Sequence, residues 1–107
     1  MTVPEVEVRD VPADAYLLDV REHDEWVAGH APEAVHIPMT QIQARVDEVP
    51  SDHPVYVVCR VGGRSMQVTA WLNRLGREAI NVGGGMQAWE YDKRPMVSET
   101  GQPPVVA

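Results

Sequence analysis

A second cysteine is missing from this chain of 107 residues, so Cys59 stands alone and no internal disulfide can form. Positive charge is scarce as well: nine basic residues face sixteen acidic ones, for a net charge of −7. That balance excludes nucleic acid as a partner, because a polyanion is held by a basic footprint that displaces its counterions. Long apolar runs are absent too. The longest, Val55 to Cys59, is far short of a membrane span, and Met1-Thr2-Val3-Pro4-Glu5 has neither the basic nor the apolar region of a secretion signal. The cytoplasm is the expected compartment, and no membrane partner is expected. His23, His30, His36 and His53 show no metal-ligand spacing, such as two histidines four apart on one helix, and a lone thiol supplies no thiolate pair. Gly83-Gly84-Gly85 lacks the G-x-G-x-x-G spacing and the downstream acidic residue of a dinucleotide loop. Neither a metal nor a cofactor is expected. With no internal repeat and no linker, residues 1–107 read as one domain, large enough to bury about 65% of its unfolded surface without disulfides or metal.

What is present centres on the thiol. Cys59 ends the apolar run Val55-Tyr56-Val57-Val58 and leads straight into Arg60-Val61-Gly62-Gly63-Arg64-Ser65. Val68, Trp71, Leu72 and Leu75 then recur at helical spacing, and Gly76 supplies a stop. The order is strand, thiol loop, helix. Gly62 and Gly63 let successive N–H groups turn inward, and the unpaired N–H groups of the helix add partial positive charge, which makes the loop an anion cradle around one sulfur. Arg60 and Arg64 beside it favour thiolate over thiol. Free cysteine often acts as a buried small hydrophobe, but this one closes an apolar run and is followed by two arginines and two glycines, a poor setting for a core residue. Cys59 is therefore the candidate nucleophile, and Arg60, Val61, Gly62, Gly63, Arg64 and Ser65 form the candidate binding loop. Charge is shared unevenly: residues 1–58 hold twelve acidic and three basic groups, residues 59–107 four acidic and six basic. Screening confines distant charges to about 8–10 Å, so the loop admits a small anion although the protein as a whole is acidic.

Strands alternate with helices along the chain. Val6 and Val8 suggest a short edge strand, and Asp10 to Asp14 a turn or single helical turn. Tyr16–Val20 reads as a strand, Glu22–Val27 as a helix ended by Gly29, Val35–Ile37 as a third strand and Gln41–Val46 as a helix before Pro50. Val55–Val58 is the central strand, Ala79–Val82 the last, and Met86–Tyr91 a closing helix after the glycine turn. This alternation predicts an α/β fold: a parallel sheet covered on both faces, with ligands at the carboxyl ends of its strands. Trp26, Trp71 and Trp89 read as packing residues, and Met66 and Met86 as core fillers near helix starts. Asp19 and Arg21 bracket a strand end as a charged pair tying strand to loop, with no catalytic role. The tail from Met96 to Ala107, with Pro103-Pro104 and no apolar periodicity, is expected to be extended or mobile.

The thiol loop resembles the active-site loop of the rhodanese family of sulfurtransferases. Asp19-Val20-Arg21-Glu22, Glu25-Trp26, Gly29-His30-Ala31-Pro32 and Ile37-Pro38 resemble the family's N-terminal signature in order; Val82, Gly84-Gly85 and Trp89 resemble its C-terminal one. The similarity spans roughly residues 5 to 95 and joins three motifs at sensible spacing. It implies a single rhodanese-like domain whose five-stranded, mainly parallel sheet is flanked by helices on both faces, and it makes His30 a structural residue. Ala31, Glu33 and His36 depart from the family's usual residues. If the turn at position 33 takes a positive φ, a glutamate there is strained.

The resemblance also implies a reaction. Cys59 thiolate attacks the outer sulfur of thiosulfate or a similar small anionic donor and expels sulfite. The backbone N–H groups of Arg60 through Ser65 hold the resulting persulfide, and Arg60 and Arg64 position the donor. Without a second cysteine in the chain the acceptor comes from outside, as cyanide, a small thiol or the cysteine of a partner protein. Two other readings use the same loop. A Cys-dependent phosphatase or arsenate reductase resembles it with one more residue in the loop, where four residues lie between Cys59 and Arg64 here. A non-enzymatic sulfur carrier or interaction module could share the fold, since fold alone does not decide function.

Overall fold

The apolar, largely buried strand Val55–Val58 lies at the centre of the sheet and carries the thiol loop. The computed structural model describes residues 3–107; Met1 and Thr2, the head of the expected 1–107 domain, lie outside the described residues. Strands β1 (Glu5–Glu7), β2 (Tyr16–Asp19), β3 (Val35–His36), β4 (Val55–Val58) and β5 (Ala79–Gly83) pair in the order β1-β5-β4-β2-β3, every pairing parallel. Helices α1 (His23–Ala28), α2 (Gly63–Arg74) and α3 (Gly85–Tyr91) complete the α/β fold. β4 is central, as expected, and β1 is an edge strand.

Side chains alternate across β4 and divide the core in two. Val55 and Val57 join Val68 and Leu72 of α2 on one face, whereas Val58 joins Met86 and Trp89 of α3 on the other. Helices thus cover both faces. The stop after α2 is a Schellman motif: Gly76 takes φ 89, its N–H reaches the Asn73 carbonyl, and Arg77 N–H reaches the Leu72 carbonyl, each at 3.1 Å. α1 opens with a capping box in which the Glu25 carboxylate accepts the Glu22 N–H at 2.9 Å.

Four expectations need correction or completion. The helix expected over Gln41–Val46 is replaced by two 3-10 turns, Met39–Gln41 and Val46–Glu48. Ile42 and Val49 are the residues buried in the core there, and each closes an i→i+3 turn, Ile42 N–H to the Met39 carbonyl and Val49 N–H to the Val46 carbonyl. Met66 is exposed rather than core, while Met86 is fully buried. Glu33 is unstrained, because Lys93 alone among the described non-glycine residues has a positive φ. The tail is extended and docked rather than mobile. Val97 exchanges backbone hydrogen bonds with His30 at 2.9 and 2.8 Å, Glu99 and Val105 N–H groups donate to the Val27 and Ala28 carbonyls, and Met96 and Val106 pack against the α3-side core. Gly29 permits that docking, since a Cβ there would lie 2.5 Å from the Val105 carbonyl oxygen.

Asp19 and Arg21 are both fully buried. Arg21 Nη2 donates to Asp19 Oδ2 and to the Gly29 carbonyl, each at 2.8 Å, which ties the end of β2 to the end of α1. Removing one partner of a buried ion pair strands the other charge away from water. Asp19→Ala should therefore lower stability by about 3–5 kcal/mol, read as a fall in the urea midpoint; an unchanged midpoint would show that the pair does not hold the fold.

Candidate functional site

The alternation of β4 decides where the sulfur goes. Cys59 lies two residues beyond Val57 and packs on the same, α2-facing side of the sheet. α2 begins just above it at Gly63. The position is more enclosed than the flanking arginines and glycines suggest: Cys59 is 1% exposed and borders the core. Its polar surroundings nevertheless distinguish it from a core cysteine. Gly62 takes φ 117, a left-handed conformation open to glycine, and this turns the loop back so that its N–H donates to Cys59 Sγ at 3.1 Å. The Ser65 hydroxyl donates to the same sulfur at 3.2 Å. Gly63 differs from Gly62. It starts the helix in open space, so neither sterics nor backbone geometry demands a glycine there.

The carbonyls on the outer side of the loop have partners of their own. Met86 N–H donates to the Cys59 carbonyl at 2.8 Å and Gln87 N–H to the Arg60 carbonyl at 3.0 Å. α3 comes this close because Gly85 has no side chain. A Cβ there would lie 2.5 Å from both carbonyl oxygens, and the backbone is left-handed at φ 58.

Burial raises the pKa of the Cys59 thiol, but the Ser65 hydroxyl and the N–H groups of Ser65, Gly62 and Val61 outweigh it, leaving the thiol below its ordinary value. Ionisation therefore favours the folded state. That contribution is complete above the unfolded thiol's pKa and is lost as the pH falls through the lowered, folded one.

The arginines are both engaged. Arg64 forms a bidentate pair with Glu25 at 2.7 and 2.9 Å, and Arg60 Nε donates to the Ala107 carbonyl at 3.0 Å. The hydrogen bond to Glu25 raises the Arg64 pKa, with a smaller contribution from the charge on Cys59, and the same bond lowers that of Glu25. Val61 is exposed at the loop tip. Asp19 and Arg21 sit below the site in their buried pair. His30 stacks on Trp26 at 3.5 Å between ring centroids and meets Glu99 of the tail at 3.0 Å, and His36 Nε2 contacts the Arg21 carbonyl at 2.8 Å. Among the described residues, no three His, Cys, Asp or Glu side chains gather as metal ligands, and no helix is long and apolar enough to cross a membrane.

Three contributors escape the sequence pattern. Glu25 reads there only as part of the Glu25-Trp26 element of the family signature, with no part assigned at the thiol, and the N–H groups of Met86 and Gln87 leave no trace in side-chain chemistry. Asn81 did leave a signal, a polar side chain inside the run Ala79-Ile80-Asn81-Val82.

A family model described as a rhodanese-like domain matches residues 6–92. The chain is 42% identical over 82 residues to a putative sulfurtransferase, YtwF, of Bacillus subtilis, covering 77% of this chain and 80% of that protein. It is 37% identical over 89 residues to a sulfurtransferase of Allochromatium vinosum, covering 82% and 83%. Its fold matches the crystal structure of a rhodanese-like domain protein from Staphylococcus aureus with a TM-score of 0.77 at 30% identity, covering 80% of this chain and 90% of that one.

Two substitutions test the cradle. Gly85→Ala should lower stability by about 3 kcal/mol or more, from left-handed strain plus the clash with the loop carbonyls. An unaltered urea midpoint would mean that α3 does not need its close approach. Ser65→Ala removes a donor to the thiolate, so the midpoint of the alkylation-rate profile of Cys59 against pH should rise. A midpoint that stays put or falls would remove Ser65 from the cradle.

Proposed function

Because the chain belongs to the rhodanese-like domain family, we propose that it is a sulfurtransferase whose Cys59 carries a sulfane sulfur from a small anionic donor to an external acceptor. The observation that carries this reading is a lone thiol whose pKa is lowered by inward-turned N–H groups and a hydroxyl. With thiosulfate as donor, the Cys59 thiolate attacks the outer sulfur. A new S–S bond forms, the S–S bond of thiosulfate breaks, and sulfite leaves with the bonding pair. The negative charge moves to the terminal sulfur of the persulfide, and the N–H groups of Val61, Gly62 and Ser65, already turned toward Cys59, would stabilise it there without reorganising. Cyanide or an external thiolate then attacks that terminal sulfur, the persulfide bond breaks, and Cys59 leaves as thiolate. Two substrates share one covalent intermediate, so ping-pong kinetics follow.

Arg64 contributes its charge from a fixed position, since Glu25 holds both of its terminal nitrogens. That engagement favours one second reading, a sulfur carrier that loads from a protein persulfide or polysulfide and turns thiosulfate over slowly, because Arg60 is also tied, to the Ala107 carbonyl. The spacing of four residues between Cys59 and Arg64 speaks for sulfur over the wider oxyanion cradle of a phosphatase.

Intact-mass measurement after incubation with thiosulfate distinguishes these readings. The wild-type protein should gain about 32 Da, one sulfur atom, reversibly with thiol, and Cys59→Ser should gain nothing while remaining folded. Sulfur transfer undiminished in Cys59→Ser would end the proposal. A stoichiometric load with negligible turnover onto cyanide would favour the carrier, and hydrolysis of a phosphate ester without sulfur uptake would favour the phosphatase.

A further inference from the structure

Asn81 stands in β5, next to the central strand, and is fully buried. Its Nδ2 donates to Glu5 Oε1 at 2.8 Å and to the Gly62 carbonyl at 3.4 Å. These two acceptors set the orientation of the amide, because the reversed amide would aim Oδ1 at a carboxylate and a carbonyl. The orientation holds although it leaves Oδ1 buried without a hydrogen-bond partner among the described residues. A buried, half-satisfied amide is costly to keep. What it does for its neighbours explains its presence.

The Gly62 carbonyl is where three donors meet. Met66 N–H reaches it at 3.1 Å as the first-turn bond of α2, Asn81 Nδ2 approaches at 3.4 Å, and Ser65 Oγ lies at 3.2 Å. Ser65 has one hydroxyl proton and two acceptors at the same 3.2 Å, this carbonyl and Cys59 Sγ. A carbonyl oxygen offers two lone pairs. Met66 takes one, and Asn81 and Ser65 compete for the other; 3.2 Å is long for an O–H···O bond, which leaves the Ser65 proton easily turned to the larger sulfur. We infer that Asn81 is a positioning residue: by competing for the Gly62 carbonyl from behind the loop, with Glu5 holding its amide, it directs the Ser65 hydroxyl onto Cys59. The inference rests on the sulfurtransferase reading for its functional meaning, a nucleophile kept ionised, while its hydrogen-bond content concerns the thiol alone.

The test is a double-mutant cycle read by alkylation of Cys59 with iodoacetamide across pH. With Asn81→Ala, the Gly62 carbonyl competes for the Ser65 proton, the thiolate loses a donor, and alkylation near pH 7 should fall between about threefold and tenfold as the midpoint moves up. In the Ser65→Ala background the same substitution should change nothing further, because no proton remains to redirect. Arg64, paired with Glu25, is charge-coupled to Cys59 and is the same in both backgrounds. An equal loss in both backgrounds, or no loss in the wild-type background, would overturn the inference. Glu5→Ala, which opens no buried space, should move alkylation in the same direction by less and vanish equally in the Ser65→Ala background, so it carries the test should Asn81→Ala not fold. Sulfur loading from thiosulfate is measured on the same proteins. Wild-type protein that does not load defeats the sulfurtransferase reading and leaves the alkylation cycle standing, whereas loading with an uncoupled cycle defeats only the role of Asn81.

Discussion

Two hydrogen bonds from the first turn of α3, Met86 N–H to the Cys59 carbonyl and Gln87 N–H to the Arg60 carbonyl, keep the thiol loop in shape. A peptide unit is planar, with its N–H and C=O pointing in opposite directions. The Arg60 carbonyl drawn outward to α3 therefore leaves the following N–H group, that of Val61, facing the sulfur. The left-handed turn at Gly62 completes the reversal, and the absence of a side chain at Gly85 lets α3 come near enough to take up those carbonyls. Gly85 at the start of α3 is thus part of the site, although it lies more than twenty residues beyond Cys59.

The electrostatics of the site are a contest between burial and dipoles. A sulfur that is 1% exposed should be held neutral, and on burial alone it would be. The inward N–H groups and one hydroxyl reverse the balance with short-range partial charges, which also explains why a chain of net charge −7 can hold an anion there: the local field, not the overall charge, acts over a few ångströms. Glu25 immobilises Arg64, the cation whose charge couples to Cys59. A charge fixed beforehand by a bidentate partner needs no reorganisation when negative charge shifts along a sulfur chain.

Much of this was legible in the sequence, for physical reasons that can be named. The strand-loop-helix order around Cys59, the central place of Val55–Val58 and the stop at Gly76 follow from period-two and period-3.6 patterning, which depend on neighbours close in sequence. The buried Asp19 and Arg21 pair was visible because two opposite charges flank one strand end. The segment after Pro38 misled, since Ile42 and Val46 have helical spacing but the core takes Ile42 and Val49 instead, each at the close of a 3-10 turn. The docking of the tail, the grip of Glu25 on Arg64 and the contact of Asn81 with Gly62 join residues far apart in sequence, and no local period encodes them.

The alternation of β4 has a consequence for how this site can change. Since Val55, Val57 and Cys59 share a side of the sheet, inserting or deleting a single residue within that strand would swing the sulfur across to the α3 layer, out of reach of Gly62 and Ser65. The parity of one short strand thus decides which layer the sulfur faces, and so whether Gly62 and Ser65 can reach it.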